Sequence, residues 1–563
     1  MSYDLVIRNG TLVDGSGGEP TRADVAIVGD RIAAVGRVDG TADRTIDADD
    51  CLVTPGFVDI HTHLDAQIFW DPIVSSPCWH GVTSVVMGNC GVGFAPCRPE
   101  DREYFARLME SVEDIPTTSI MEGLSWSWET YSEYLAAVEA LPKGINVGGM
   151  VGHCAVRFWA MGKRCLDQKQ ASAEDIERMR EVVADSIRGG ALGFSTSRTT
   201  IHKTPDGEPI PGTFAAPEEL IGIARVLAEQ GKGVFEAVPY LESDDPEVYR
   251  SELAWMTDLC VQTGRPLTFG MVQTHQLPDV WKTVLGMVEA AAARGANLRP
   301  QTQVRSVGVL FGLVNLTPFD LAGGHWGLLR LGSFEDRLAA LRKPEVRQQL
   351  IADAESCPLP KEMIGLFTRL PVENGAARYD LRPENSLAAI AERRGVGLAE
   401  AFIDLCLETE GKALFLFPFA NQDFDAVSEM LQHPQMLLGL ADSGAHCGQI
   451  MDASLPTFLL SYWVGERGLF PVEEAIRKLT SEPAEFFGLK DRGRIREGAH
   501  ADLNVIDFDA LRVCAPEYVH DFPAGAARYI QRARGYRHTI VNGQPFMQDG
   551  EHTGAHAGVL LRS

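Results

Sequence analysis

Several hallmarks of common protein classes are absent from this sequence of 563 residues. The longest apolar runs, at 413–420 and 307–314, span about eight residues each, whereas a transmembrane helix needs roughly 20. The N-terminus shows no basic segment followed by an apolar one, so we expect no signal peptide. The eleven cysteines form no CxxC pair. An odd number of scattered cysteines favours reduced thiols in a cytoplasmic protein.

Positive charge is also scarce. There are 51 lysines and arginines against 77 acidic residues, for a formal charge of −26. Such a surface repels phosphate, so we expect neither a nucleic-acid partner nor a membrane partner. A Walker loop, a G-x-G-x-x-G after a strand and a G-x-S-x-G elbow are absent too, which excludes the usual NTPases, Rossmann dehydrogenases and α/β-hydrolases. The hydrophobic content of 45% fits a large folded core.

Apolar runs alternate with amphipathic segments through the middle of the chain, which is typical of βα units and a parallel sheet. Strands are predicted at 82–87, 145–150, 191–195, 234–238, 266–272, 413–417 and 436–440. A helix is predicted over 171–189, with a capping box of Ser172 and Asp175. Both termini are rich in strand and turn signals. The pattern predicts an α/β fold: a (β/α)₈ barrel over 55–489, with an insertion within about 305–410, and a small β-sandwich domain made from 1–54 and 490–563.

The strongest chemical signal is the segment PGFVDIHTH, an apolar strand that ends in His61 and His63. Alternation along a strand places the two imidazoles on the same side. In a parallel barrel that side can be the interior at the carboxyl-terminal mouth, where catalysis occurs. Two neutral imidazoles there make half of a zinc-type site.

Two further residues follow predicted strands at the same end of the barrel. Cys90, in GNCG, can bind or bridge metals as a thiolate, although a buried cysteine packed in a turn is the plain alternative. Asp442, in GLADSGAH, can ligate a metal and accept the proton of a metal-bound water; the alternative is a helix cap or a turn.

Five residues are weaker candidates. Glu236 is a charge inside an apolar strand and therefore needs a metal or an arginine as its partner. Arg198 can clamp a substrate carboxylate or pair with a surface acid. His153 and His202 follow strands and can contact the substrate or stabilise an oxyanion. His446 is either a substrate-facing group or a loop histidine.

Taken together, PGFVDIHTH, GNCGVGFAP, GLADSGAH and RGRIREGAHADLNVID resemble the amidohydrolase superfamily, and more narrowly its D-aminoacylase (N-acyl-D-amino-acid deacylase) branch. The opening DLVIRNGTLVDGSG and residues 554–562 extend the resemblance over nearly the whole chain. It implies a metal-bearing barrel, a β-sandwich built from both termini, and amide hydrolysis by metal-activated water. It also implies metal ligands at His61, His63 and Asp442, and a bridging cysteine at Cys90 in the place of a carboxylated lysine.

The resemblance further implies one histidine ligand from the fourth barrel strand and one from the fifth. The segments that we assign to these strands, VFEAV and LTFGMVQTHQ, hold Glu236 and, later in the loop, His275. Either Glu236 replaces a histidine as a ligand, or the site holds a single metal. The loop STSRTTIH, assigned to follow the third strand, also departs from the deacylases, which indicates a divergent subgroup.

The sequence thus predicts a cytoplasmic hydrolase of a non-peptide C–N amide bond, with one or two divalent ions, expected to be zinc, and a small-molecule amide as substrate. We expect deacylation of an N-acyl amino acid, with a preference for the D form. Two alternatives stay open: hydrolysis of a cyclic amide or ureide such as a hydantoin or a lactam, and a catalytically silent barrel that acts as a binding protein. The oligomeric state is open, a homo-oligomer included.

Overall fold

The computed structural model describes residues 2–167 and 170–563. Its strands are, in chain order, β1 (Ser2–Leu12), β2 (Thr21–Val28), β3 (Arg31–Gly36), β4 (Thr41–Asp47), β5 (Leu52–Pro55), β6 (Phe57–Asp59), β7 (Val82–Met87), β8 (Asn146–Gly152), β9 (Gly193–Ser197), β10 (Val234–Val238), β11 (Leu267–Gly270), β12 (Leu298–Thr302), β13 (Val307–Gly312), β14 (Thr368–Arg369), β15 (Val372–Glu373), β16 (Ala376–Ala377), β17 (Leu414–Ala420), β18 (Leu437–Leu438), β19 (Leu503–Ile506), β20 (Arg512–Val513), β21 (Glu517–Val519), β22 (Arg528–Ile530), β23 (Ala533–Arg534), β24 (Tyr536–Val541), β25 (Gln544–Gln548) and β26 (Glu551–His552).

The α-helices are α1 (Arg102–Glu113), α2 (Thr117–Gly123), α3 (Tyr131–Ala140), α4 (His153–Met161), α5 (Ala173–Arg188), α6 (Pro217–Gln230), α7 (Pro246–Thr263), α8 (Val280–Ala293), α9 (Gly324–Arg330), α10 (Phe334–Leu341), α11 (Pro344–Ala354), α12 (Lys361–Gly365), α13 (Leu387–Arg394), α14 (Leu398–Glu408), α15 (Phe424–Gln432), α16 (Leu455–Phe458), α17 (Val472–Leu479) and α18 (Ser481–Phe486). None of these described helices is both long enough and apolar enough to cross a membrane.

The two ends of the chain share one sheet. Its strand order is β26-β25-β24-β19-β5-β1-β2-β3, and β4 pairs with β1 outside this path. The joint is β19, which pairs antiparallel with β5 on one side and with β24 on the other. Apolar side chains from both ends, among them Ile7, Val25 and Val505, are fully buried in one core. The predicted β domain formed by both termini is therefore confirmed.

The middle of the chain forms a parallel barrel. Its sheet has the order β18-β12-β11-β10-β9-β8-β7-β6, so β6 is the first barrel strand and β18 the eighth. The two edges meet where Thr62 bridges Ser443 in parallel and the backbone N–H of His63 donates to the carbonyl oxygen of Ser443 at 2.8 Å. This closure confirms the predicted (β/α)₈ fold. It also brings the segment that follows β6 next to the segment that follows β18.

The helix that precedes the fourth barrel strand forms as its sequence predicts. Ser172 caps α5 by accepting from the backbone N–H of Asp175, whose side chain accepts in return from the N–H of Ser172. The apolar positions Met179, Val183 and Ile187 are buried. The strands at 82–87 and 234–238 match β7 and β10 in full, because short, mostly apolar runs that follow a glycine are typical of strands buried on both faces.

The predicted strand at 413–417 forms as β17, but it does not belong to the barrel. It pairs antiparallel with β13 and β14 in a separate sheet. That sheet and α9 to α14 enclose their own apolar core, which includes Trp326, Phe402 and Phe415. Sequence reasoning also missed the seventh barrel strand, β12, because its residues LRPQT lack an apolar run. The insertion bounds of about 305–410 stay a prediction.

The strand numbers that we assign to three segments are too low by one. VFEAV is β10, the fifth barrel strand, and LTFG is β11, the sixth. The loop STSRTTIH begins in β9, the fourth strand rather than the third. Our numbering starts at the strand 82–87, whereas β6, although only three residues long, is the first strand of the barrel.

Candidate metal centre

The two histidines that follow the first strand lie in the interior of the barrel mouth. The backbone N–H of His61 donates to a carboxylate oxygen of Asp59, and that of His63 donates to Ser443. Both imidazoles are buried, with exposed fractions of 0% and 2%. Their ring centres lie 5.5 Å apart. The backbone of two neighbouring elements therefore fixes both rings on one side, as strand alternation predicts.

Cys90 lies directly beside these imidazoles. Its Sγ is 3.3 Å from Nε2 of His61 and 3.7 Å from Nε2 of His63. The turn that carries it depends on glycine, because Gly88 has a φ of 76° and a Cβ there would lie 2.2 Å from the carbonyl oxygen of Met150. In the described part of the chain, one group of three or more metal-ligating side chains has its donor atoms within 4.8 Å, and it consists of His61, His63 and Cys90.

Asp442, in the segment that follows the eighth strand, completes the arrangement. Its Oδ1 is 3.1 Å from Nε2 of His61 and 3.7 Å from Nε2 of His63. The backbone N–H of Asp442 donates to the carbonyl oxygen of His61 at 3.1 Å, so barrel closure positions the carboxylate. Asp442 and Cys90 both have left-handed backbone angles, with φ of 46° and 58°. Such strain in non-glycine residues is typical of functional sites.

Glu236 lies next to Cys90 within the barrel. Its Oε2 accepts the backbone N–H of Cys90 at 2.9 Å, and the side chain is fully buried. Its other oxygen has no hydrogen-bond partner among the described residues. The carboxylate therefore supports the strained cysteine turn, and it keeps one oxygen free toward the barrel interior.

Burial and nearby charged groups shift the pKa values of the side chains at this site. Burial lowers the pKa of His63, but Glu113 and Asp442 outweigh it and raise that pKa to about 9. Burial raises the pKa of the Cys90 thiol well above its usual value, and the nearby carboxylates raise it further. Burial also raises the pKa of Glu236 to about 7. For Asp442, burial is outweighed by the two imidazoles, which hold the carboxyl pKa well below its usual range.

Sequence reasoning missed one residue of this site, Glu113. It is the last residue of α1 and is 2% exposed. Its Oε1 lies 3.3 Å from Nδ1 of His63, and its Oε2 lies 3.8 Å from Nε2 of His446. The segment MESVEDI carries no motif. Only the docking of α1 against the mouth reveals that this acidic residue faces inward.

The structure does not bring Arg198 or His153 to these ligands. The Nε of Arg198 donates to both carboxylate oxygens of Glu252 at 2.9 Å. The ring nitrogens of His153 contact Thr196 Oγ1 at 2.8 Å and Glu219 Oε1 at 2.9 Å. Both side chains are thus engaged by protein groups, and their roles in substrate binding stay predictions.

His202 and His446 do lie at the mouth. Burial lowers the pKa of His202 to about 4, and Glu113, His63 and Asp442 are close enough to act on it. Its Nδ1 contacts the Ser197 hydroxyl at 2.9 Å. A neutral imidazole in this position can donate an N–H to a bound substrate.

The donor set fits a divalent cation. Two imidazole nitrogens, a thiolate and a carboxylate are the ligands that zinc prefers in proteins. The Oδ1 of Asp442, which faces Nε2 of both histidines, is buried without a hydrogen-bond partner in the described chain. Buried polar atoms are normally satisfied, so this oxygen indicates that a bound group belongs here.

Comparisons with known proteins identify the family of this chain. The model of the amidohydrolase family (Amidohydro_3) matches residues 44–547. An N-acyl-D-glutamate deacylase of Alcaligenes xylosoxydans xylosoxydans is 31% identical over 96% of this chain and 93% of its own. A D-aminoacylase of the same organism is 27% identical over 99% and 97%.

Solved structures of related enzymes share the fold of this chain. A crystal structure of D-aminoacylase superimposes with a TM-score of 0.66, at 25% identity and with 100% of both chains covered. Work on the same enzyme describes its binuclear metal centre, with one-metal activation and second-metal attenuation. With the family model matching most of its length and its fold shared with D-aminoacylase, this chain belongs to the amidohydrolase family.

Proposed function

We propose that this protein is a metal-dependent amidohydrolase that removes the acyl group from N-acyl amino acids and prefers D substrates. The convergence of His61, His63, Cys90 and Asp442 at the barrel mouth carries the proposal. The deacylase relatives along nearly the whole chain support the substrate class.

We infer that these four side chains hold one divalent cation, most simply zinc. A bound cation of this kind polarises the amide carbonyl and acidifies water. A second ion would need further ligands, yet the sixth strand, LTFG, offers none of the usual ligating side chains. Glu236 then has another role: it accepts the Cys90 N–H and keeps the cysteine turn in its strained conformation.

Two side chains supply the proton transfer and the stabilisation of the oxyanion. Asp442 is ionised, so its carboxylate can take the proton of the attacking water and pass it to the leaving nitrogen. The neutral ring of His202 can donate to the carbonyl oxygen as negative charge develops there. The buried walls exclude bulk water, which strengthens both interactions.

A substrate panel tests this function. Purified protein loaded with zinc is assayed with N-acetyl-D-amino acids, their L enantiomers, hydantoins and lactams, with Asp442→Asn as a control that should keep the fold. We expect turnover of the D substrates by the parent enzyme alone. Turnover of the cyclic amides alone would favour the cyclic-amide reaction. A zinc-loaded protein that is inactive on the whole panel would favour a binding protein.

A further inference from the structure

The carboxylate of Glu113 lies in a position that is unfavourable for a negative charge. It stands at the carboxyl end of α1, where the helix dipole is negative, and its side chain is 2% exposed. Among the described residues, its ion-pair partners are two histidines, His63 and His446, rather than a lysine or an arginine. A buried carboxylate at the wrong end of a helix needs compensation, and the groups that face it belong to the metal centre.

The two imidazoles that follow the first strand differ in the groups that face their Nδ1 atoms. Nδ1 of His63 faces Glu113 Oε1 at 3.3 Å, whereas Nδ1 of His61 is buried with no partner in the described chain. Nε2 of His63 points the other way, 3.7 Å from both Cys90 Sγ and Asp442 Oδ1. The contact with Glu113 is an ion pair rather than a hydrogen bond, since Glu113 Oε1 accepts no hydrogen bond from the described residues.

We propose that Glu113 is the positioning residue of the metal centre: it holds the proton of His63 on Nδ1 and so keeps the Nε2 lone pair directed at the cation. This inference rests on the proposed function, since it assumes that His63 ligates a metal. A carboxylate behind a ligating histidine fixes the tautomer and the ring orientation and makes the nitrogen a stronger donor. Glu113 does this from a helix that is separate from every strand that supplies a ligand.

A second set of contacts links the same helix end to the loop that carries Asp442. The backbone N–H of His446 donates to the carbonyl oxygen of Glu113. The Nε2 of Gln449 donates to Oδ2 of Asp114 at 3.0 Å. Asp114 ends α1 in a left-handed conformation, with a φ of 53°. The end of α1 therefore contacts both the His63 side and the Asp442 side of the centre.

Two substitutions and one matched control test the proposal. Glu113→Gln keeps the size and one acceptor oxygen but removes the charge. Glu113→Leu removes the charge and both acceptor oxygens. Glu110→Gln is the control, since Glu110 lies on the same helix, is exposed, and bonds to Thr117. The readouts are the zinc dissociation constant, by competition with a chromophoric chelator, and the visible spectrum of the cobalt-loaded protein, which reports ligand geometry.

We expect the leucine variant to bind zinc about 10- to 100-fold more weakly, the glutamine variant to lie between it and the parent, and the control to match the parent. The cobalt spectrum should change in the two Glu113 variants alone. Parental zinc affinity in a folded Glu113→Gln or Glu113→Leu protein would overturn the proposal. If the leucine variant does not fold, the glutamine variant decides. A parent protein that binds no zinc would instead overturn the proposed function.

Discussion

Metal binding at this centre should depend steeply on pH. In the metal-free protein His63 has a pKa of about 9, and the Cys90 thiol has a pKa well above its usual value. At neutral pH both side chains therefore carry a proton that ligation must displace. Asp442, whose pKa is lowered, is already ionised and adds nothing to the dependence.

The magnitude follows from counting these protons. Each displaced proton changes the affinity about tenfold per pH unit, so the protons of His63 and Cys90 together give about 100-fold, or about 2.7 kcal/mol, per pH unit. Burial lowers the pKa of His61, but Asp442 and Glu236 outweigh it and raise that pKa above its usual value, so His61 adds to the slope at the acid end of the range. Metal affinity rises with pH, because fewer protons then have to be displaced. Above pH 9 the slope should fall toward one proton, because His63 is then neutral without the metal. A histidine with its usual pKa of about 6.5 would already have lost its proton at pH 7.5.

Chelator competition between about pH 6.5 and pH 8 measures this slope, and calorimetry in buffers of different ionisation enthalpy counts the released protons independently. Cys90→Ala is the control, since it removes the thiol proton and should lower the slope by about one. A parental slope of one or less across this range would refute the reasoning, because it would mean that one of the two side chains is already deprotonated.

Three further predictions follow from the site and its surroundings. Asp442→Asn should lower kcat by about 10²- to 10⁴-fold while the circular dichroism spectrum stays native; a nearly normal rate would assign the proton transfer to another group. Elemental analysis should find one tightly bound metal per chain in both the parent and Glu236→Gln, whereas two metals that fall to one would make Glu236 a ligand. Arg198→Met should destabilise the fold by about 2–4 kcal/mol in urea unfolding, because it removes the charged partner of the buried Glu252 carboxylate and leaves that group the hydrogen bond from Trp255 Nε1. A higher KM with unchanged stability would instead support Arg198 as the substrate clamp.

The segments with unambiguous local signals were predictable from the sequence. The capping box of α5 and the apolar runs of β7 and β10 depend on neighbouring residues, so the pattern alone indicates them. Strand alternation also predicts that His61 and His63 face the same side. The strand at 413–417 was assigned to the wrong sheet, because an apolar run has the same pattern wherever it pairs.

The amino-acid sequence by itself determined the fold class and the candidate ligands: a barrel of alternating strands and helices, with two histidines, a cysteine and an aspartate that follow strands. Only the tertiary structure decided which groups meet. Closure of the sheet between Thr62 and Ser443 sets Asp442 against the two imidazoles, and docking of α1 places Glu113 behind His63. The physical reason is that these pairs are distant in sequence, so the packing of the whole barrel fixes their distances and no local pattern encodes them.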